Sequence, residues 1–105
     1  MNQYEIVLVN LDPTIGSEMK KMRPCVIISP NEMNKYLQTN VVAAMASSSK
    51  PYPTRVEVKH KGTKGWIAIN QIRTIDRLRI VKRFEILTEK EIEKVKAVMK
   101  ETFVD

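Results

Sequence analysis

Ahead of residue 88 this chain is divided into short stretches of strand character, closed off by proline, glycine or polar turn residues. Ile6-Val7-Leu8-Val9 is a β-branched apolar run, and Asp12-Pro13-Thr14-Ile15-Gly16-Ser17 after it is turn chemistry. Cys25 to Ser29 is a second apolar run, held between Pro24 and Pro30, and Val41 to Met45 is a third. Arg55 to Lys59 and Trp66 to Asn70 alternate polar and apolar residues with the period of two that a half-buried strand requires. His60 to Gly65 supplies the glycines of a hairpin loop between them, and Asn31 to Leu37 has room for a helical turn. These segments predict a curled antiparallel sheet of short strands.

The pattern changes at Thr88. Thr88 with Glu91 three residues later forms a capping box, in which each side chain satisfies the other's exposed backbone N–H. Ile92, Val95, Met99 and Phe103 then recur at helical spacing, with Glu89 and Glu91 at the positive helix end and Lys96 and Lys100 at the negative one. The expectation is one domain over residues 1–105: a strand-rich body, 1–87, and a C-terminal helix over about 88–103 that packs on the sheet by this stripe.

With 105 residues there is room for one core of ordinary size. No apolar run approaches the ~20 residues of a membrane span, and no secretory pattern opens the chain, so a soluble cytoplasmic protein with no membrane association is expected. Cys25 is the lone cysteine and sits in an apolar run, which marks it as a core thiol rather than a nucleophile. With one histidine and one cysteine, no structural zinc is expected, and no cofactor is implied.

The net charge is +6, and its location matters more than its size. Residues 1–87 carry 14 Lys/Arg against 7 Asp/Glu, while 88–105 carry 4 against 5. A basic body calls for an anionic partner. Three polar groupings could meet it. The first is Gly16 to Pro24, with Ser17, Glu18, Lys20, Lys21 and Arg23; the second is Ser47 to Pro53, with Ser48 and Lys50. The third runs from Gln71 to Arg83 and holds five cations (Arg73, Arg77, Arg79, Lys82 and Arg83) against the one carboxylate of Asp76. Solvated loops and turns are the plain alternative for all three.

RNA carries its own nucleophile, the 2′-hydroxyl. An enzyme that cuts it has only to remove that proton, stabilise the charged phosphorane and protonate the leaving 5′-oxygen. A glutamate, an arginine and one hydroxyl or amide suffice, the arginine because its planar fork stays charged and spans two phosphate oxygens. A Ser-His-Asp mechanism fits poorly, because the only histidine, His60, falls in the hairpin segment, where an exposed loop position is expected.

Four ordered motifs then carry a resemblance over nearly the whole chain: Glu5 to Thr14, Gly16-Ser17-Glu18, Arg23-Pro24 leading into the run that ends Ser29-Pro30, and Gln71-Ile72-Arg73-Thr74-Ile75-Asp76. In these the chain resembles the MazF/PemK (Kid) toxins. The resemblance implies a mainly β fold with α, an SH3-like/CcdB-like small curled antiparallel barrel with a packed C-terminal helix. It implies a homodimer that cleaves single-stranded RNA sequence-selectively and without metal, leaving a 2′,3′-cyclic phosphate and a 5′-hydroxyl. It also implies a cognate antitoxin protein whose disordered tail wraps the toxin.

Residue by residue, the resemblance assigns Arg23 as the catalytic arginine and Glu18 as an acidic loop residue that supports activity. Two positions depart from the pattern: Ala46 stands where a threonine is usual, and Asn70 where an aspartate or glutamate is usual. Ser47 is the candidate replacement hydroxyl, although adjacent strand residues face opposite sides and a bulge or register shift would be needed. Ser17, Lys20, Lys21, Ser48, Lys50, Asn70, Gln71, Arg73, Arg77 and Arg79 are the candidate RNA-binding residues. The alternatives are a catalytically weakened or inactive RNA- or antitoxin-binding protein of the same fold and a gyrase poison of the CcdB kind.

Overall fold

The computed structural model describes residues 1–11, 21–48, 50 and 52–104. The turn expected over Asp12 to Ser17, and with it Glu18 and Lys20, lies outside the described residues. Among the described residues six strands, β1 (Glu5–Asn10), β2 (Met22–Ile27), β3 (Thr39–Ala46), β4 (Arg55–His60), β5 (Thr63–Asp76) and β6 (Ile80–Ile86), form one antiparallel sheet in the order β4-β5-β3-β2-β1-β6. Two helices accompany it, α1 (Asn31–Tyr36) and α2 (Glu89–Met99). None of the described helices is long and apolar enough to cross a membrane.

The central strands are buried on both faces, which is why they read as continuous apolar runs rather than as alternation. Ile6, Val26, Ile28, Ala43, Met45, Ile67 and Ile69 pack in one cluster with Val95 of α2, whereas Val7, Val9, Cys25, Ile27, Val42 and Ile75 pack in a second. Pairing of Val7 with Cys25, of Cys25 with Ala44 and of Ile27 with Val42 keeps the second set on one face across three strands.

The sheet curls until its two edges meet. The β4–β5 hairpin turns through Lys61 and Gly62, both at positive φ (52° and 75°), the backbone a two-residue hairpin loop needs. At this end of the hairpin, His60 Nδ1 lies 2.6 Å from Glu85 Oε1 on β6, its ring sits edge-to-face on Phe84 at 4.8 Å, and the Lys61 ammonium lies 4.5 Å from the Phe84 ring centre. The half-barrel is closed there by side chains. His60 is therefore the last residue of β4 with its side chain 17% exposed, not the exposed loop residue expected, because the curl brings β6 over it.

Three further expectations are corrected. β5 does not stop at Asn70 but continues to Asp76, and the whole of β6 is additional. Along β6 only Ile80 and Phe84 are partly covered, because among the described strands it pairs with β1 and lies at the edge of the sheet. The stripe on α2 also ends early. The capping box forms as expected, Val95 is fully buried, and Ile92, Val98 and Met99 are packed against the core. After Met99 the chain changes to a π-helical turn, Lys100–Val104, whose wider winding carries Phe103 off the stripe and leaves it 52% exposed.

Two arginines of the third basic grouping serve the fold. Arg83 donates from Nε (2.6 Å) and Nη2 (3.0 Å) to the two carboxylate oxygens of the buried Glu5. Arg77 begins a 3-10 turn (Arg77–Arg79) and donates from Nη2 to the carbonyls of Asn34 and Leu37, at 2.7 Å for Leu37, tying α1 to the end of β5. Asn34, itself buried, accepts from Ser29 Oγ and Asn40 Nδ2, so this corner is held by a buried polar network in which Asn40 Oδ1 and Arg77 Nε are left without a partner.

Candidate active site

Arg23 is the residue from which the site is built. It stands near the start of β2 opposite Val9, two residues before Cys25 and hence on the same sheet face. Arg73 of β5 stands opposite Val42, on that face as well, with β3 between the two arginines. Both are exposed, and both act on the Cys25 thiol. Burial pushes that thiol up to about 11, against the weaker opposing pull of the Arg23 and Arg73 charges. Cys25 is a protonated core residue at neutral pH, as its apolar run suggested.

Two open clefts adjoin at Arg23. One, of about 470 Å³, is lined by Leu11, Lys21, Met22, Arg23 and Arg73. The other, of about 290 Å³, holds Arg23 with Ala44, Ala46, Ser48, Lys50 and Gln71, and is bounded by Tyr52 and Arg55. Among the described residues that line them there are five cations and no carboxylate. Such a surface accumulates anions and holds phosphate oxygens.

An irregularity in the sheet shapes the second cleft. Ala43 pairs with Ile72 while Met45 pairs with Ile67, so Ala44 alone stands opposite residues 68 to 71 of β5. This bulge bends β5 and delivers Gln71 to the cleft. At the far end of β3, Gly65 comes so close that a Cβ there would lie 3.2 Å from Met45 Cε.

Lys21, Arg23, Ser48, Lys50, Gln71 and Arg73 are brought together. Ser17, Glu18 and Lys20 lie outside the described residues. Ser47 lines a separate hollow of about 150 Å³ with Pro24, His60 and Thr63; Ala46 borders both this hollow and the Arg23 cleft, and Ser48 lines the Arg23 cleft. Beyond the end of β3 it is thus Ser48, not Ser47, that shares a cleft with Arg23. Asn70 accepts a hydrogen bond from Arg55 Nη1 at 2.6 Å at the cleft edge. Arg77 is committed to α1 as described, and Arg79 donates from Nη1 to the Asn10 carbonyl at 3.3 Å. Arg55 was missed. Its alternation with Val56 marks it as outward-facing, but nothing local says that outward on β4 means toward Arg23. No three His, Cys, Asp or Glu side chains among the described residues gather in a way that would hold a metal.

Comparison with known proteins agrees with this geometry. The family model for the PemK-like, MazF-like toxin of type II toxin-antitoxin systems matches residues 2–103. The endoribonuclease MazF of Staphylococcus saprophyticus is 36% identical over 101 residues, covering 90% of this chain and 84% of its own, and that of Staphylococcus epidermidis is 36% identical over 91 residues, covering 81% and 76%. Among solved structures, MazF from Deinococcus radiodurans matches at a TM-score of 0.81 and 20% identity over all of this chain and 97% of that one. A MazE-MazF structure from the same organism matches at 0.84 and 22%, over 99% of this chain and 96% of that one. The extent of the family match, together with relatives of this identity, places the chain: it belongs to the PemK-like, MazF-like toxins of type II toxin-antitoxin systems.

Proposed function

We propose that this chain, a toxin endoribonuclease, cuts single-stranded RNA at the junction of the two clefts, with Arg23 on the scissile phosphate. The observation that carries the reading is the position of Arg23, shared by both clefts and flanked by Lys21, Arg73 and Lys50. A strand laid across the junction places phosphates on both sides of Arg23 within reach of cations.

In the reaction, the 2′-oxygen loses its proton and bonds to the adjacent phosphorus, the bond from phosphorus to the 5′-oxygen breaks, and that oxygen takes a proton. The products are a 2′,3′-cyclic phosphate and a 5′-hydroxyl, and no water is consumed. Because the nucleophile comes from the substrate, the chemistry does not depend on a metal. Arg23 stabilises the phosphorane through its fork, and Glu18 is the residue whose chemistry suits proton removal. Ser48, two residues beyond Ala46 and in the same cleft, is the hydroxyl that stands nearest to the role a threonine would fill.

The protein's partners follow from the same reading. Structures of this fold include a mycobacterial endoribonuclease with its cognate antitoxin and the MazE-MazF complexes of D. radiodurans. A cognate antitoxin is accordingly the proposed protein partner here, an acidic segment being suited to the basic body, with the chain acting as one domain, as a homodimer and in the cytoplasm. Ala46 and Asn70 support a second reading, a protein that holds RNA without cutting it. Incubation of the purified protein with a long unstructured RNA in EDTA separates the two. Fragments with 5′-hydroxyl ends support the enzyme, and intact RNA that is nonetheless bound supports the second reading.

A further inference from the structure

The second cleft is bounded by an arrangement that the cleavage chemistry does not use. Tyr52 is half-exposed, and its ring lies 5.6 Å from the Arg55 guanidinium. The turn that presents it is braced by its own backbone: the Tyr52 N–H donates to the Lys50 carbonyl at 2.7 Å, and the Arg55 N–H donates to the Tyr52 carbonyl at 3.0 Å. Arg55 in turn donates from Nη1 to Asn70 Oδ1 at 2.6 Å and to Thr54 Oγ1 at 3.3 Å. Asn70 belongs to β5 and precedes the cleft residue Gln71.

The chemistry of Asn70 decides what this arrangement does. A carboxylate in its place would hold Arg55 equally well but cancel its charge. A neutral amide orients the guanidinium and leaves it cationic. We propose that Tyr52 and Arg55, held in place by Asn70, form a nucleobase platform beside Arg23, in which the Tyr52 ring stacks on a base of the RNA and the uncancelled Arg55 charge strengthens both the stack and the neighbouring phosphate contact. An aromatic face next to a guanidinium plane is suited to an unpaired base and tolerates any base. On this view the amide at position 70 sets how tightly RNA is held and is not merely a lost acid.

The proposal rests on the reading of the site as an RNA-cleaving one, and its test separates the two. The probe is a 2′-O-methyl oligonucleotide of the sequence that end mapping identifies as cleaved, bound across a range of salt. The parent protein is expected to bind it with a steep salt dependence. Asn70→Asp preserves size and hydrogen bond but neutralises Arg55; it is expected to weaken binding about tenfold and to lower the salt slope by roughly 0.7, the value for one single-strand phosphate contact. Tyr52→Leu keeps bulk but removes the ring, and is expected to weaken binding about tenfold and to abolish the difference between the probe and one with an abasic nucleotide at the stacked position. Thermal unfolding of both variants should match the parent. If the parent binds and either variant binds as tightly as it does, the platform is overturned and the cleavage reading stands; if the parent binds no single-stranded RNA, both fall.

Discussion

Arg23 and Arg73 stand on one face of the sheet on opposite sides of β3, near enough to the Cys25 thiol that both of their charges act on it. Two exposed cations fixed by strand register need no loop to keep them in place. These two cations of the candidate site are therefore placed by the strands of the sheet, while Lys50 and Tyr52 approach from the β3–β4 connection.

Ser48→Ala should lower cleavage, whereas Ser47→Ala should leave it near the parent's rate, because only the former lines the cleft of Arg23. Ala46→Thr restores a hydroxyl on the cleft wall and should raise cleavage several-fold. Single-turnover rates for the three variants check this, and equal effects at 47 and 48 would contradict the assignment of Ser48 alone to the Arg23 cleft.

Val95→Ala should destabilise the fold by about 2 kcal/mol, since a fully buried side chain leaves a cavity between α2 and the sheet. Phe103→Ala should cost well under about 1 kcal/mol, because the π-helical turn has already exposed the ring. Denaturant unfolding of the two variants measures the contrast.

These pairs show where the sequence was legible. Ile6 to Val9 and Val41 to Met45 announce central strands because both faces of each are buried, and Thr88 with Glu91 announces the helix start because a capping box is a local device. The end of the helix was not legible: the spacing from Met99 to Phe103 suits an α-helix, and the widened turn follows no breaker residue. Nor was β6, whose Ile80–Ile86 segment is covered on neither face throughout. In the candidate site, Arg23 is singled out by its motif, but the division of Ser47 from Ser48 falls beyond the end of β3, where strand alternation no longer applies, and the placing of Arg55 beside Arg23 depends on long-range sheet topology. The counterion of Arg83 was equally hidden, since Glu5 is 78 residues away in sequence.

Glu5 gives the stability a pH dependence. Burial by itself raises the Glu5 carboxyl, but the Arg83 hydrogen bond, the bond from the Asn2 N–H and the charges of Arg83 and the N-terminus together outweigh it and hold the group below its ordinary 4.5. A carboxyl lowered in the folded state contributes stability that is fully present above its unfolded value and is lost as pH falls through the folded one. Unfolding free energy should therefore fall below about pH 4.5, and Glu5→Gln should flatten that fall. Arg83→Met, measured at pH 7, should cost about 2 kcal/mol, because the buried carboxylate loses its charged donor. An unchanged acid slope in Glu5→Gln would count against this.

The most direct measurement is the cleavage rate and RNA affinity of Arg23→Lys. Lysine keeps the positive charge between the two clefts but not the fork that spans two phosphorane oxygens. If Arg23 acts in the transition state, the single-turnover rate on the mapped RNA in EDTA falls by about 100-fold or more, while affinity for the 2′-O-methyl probe changes little. A variant that cuts as fast as the parent would contradict the assignment of the scissile phosphate to Arg23.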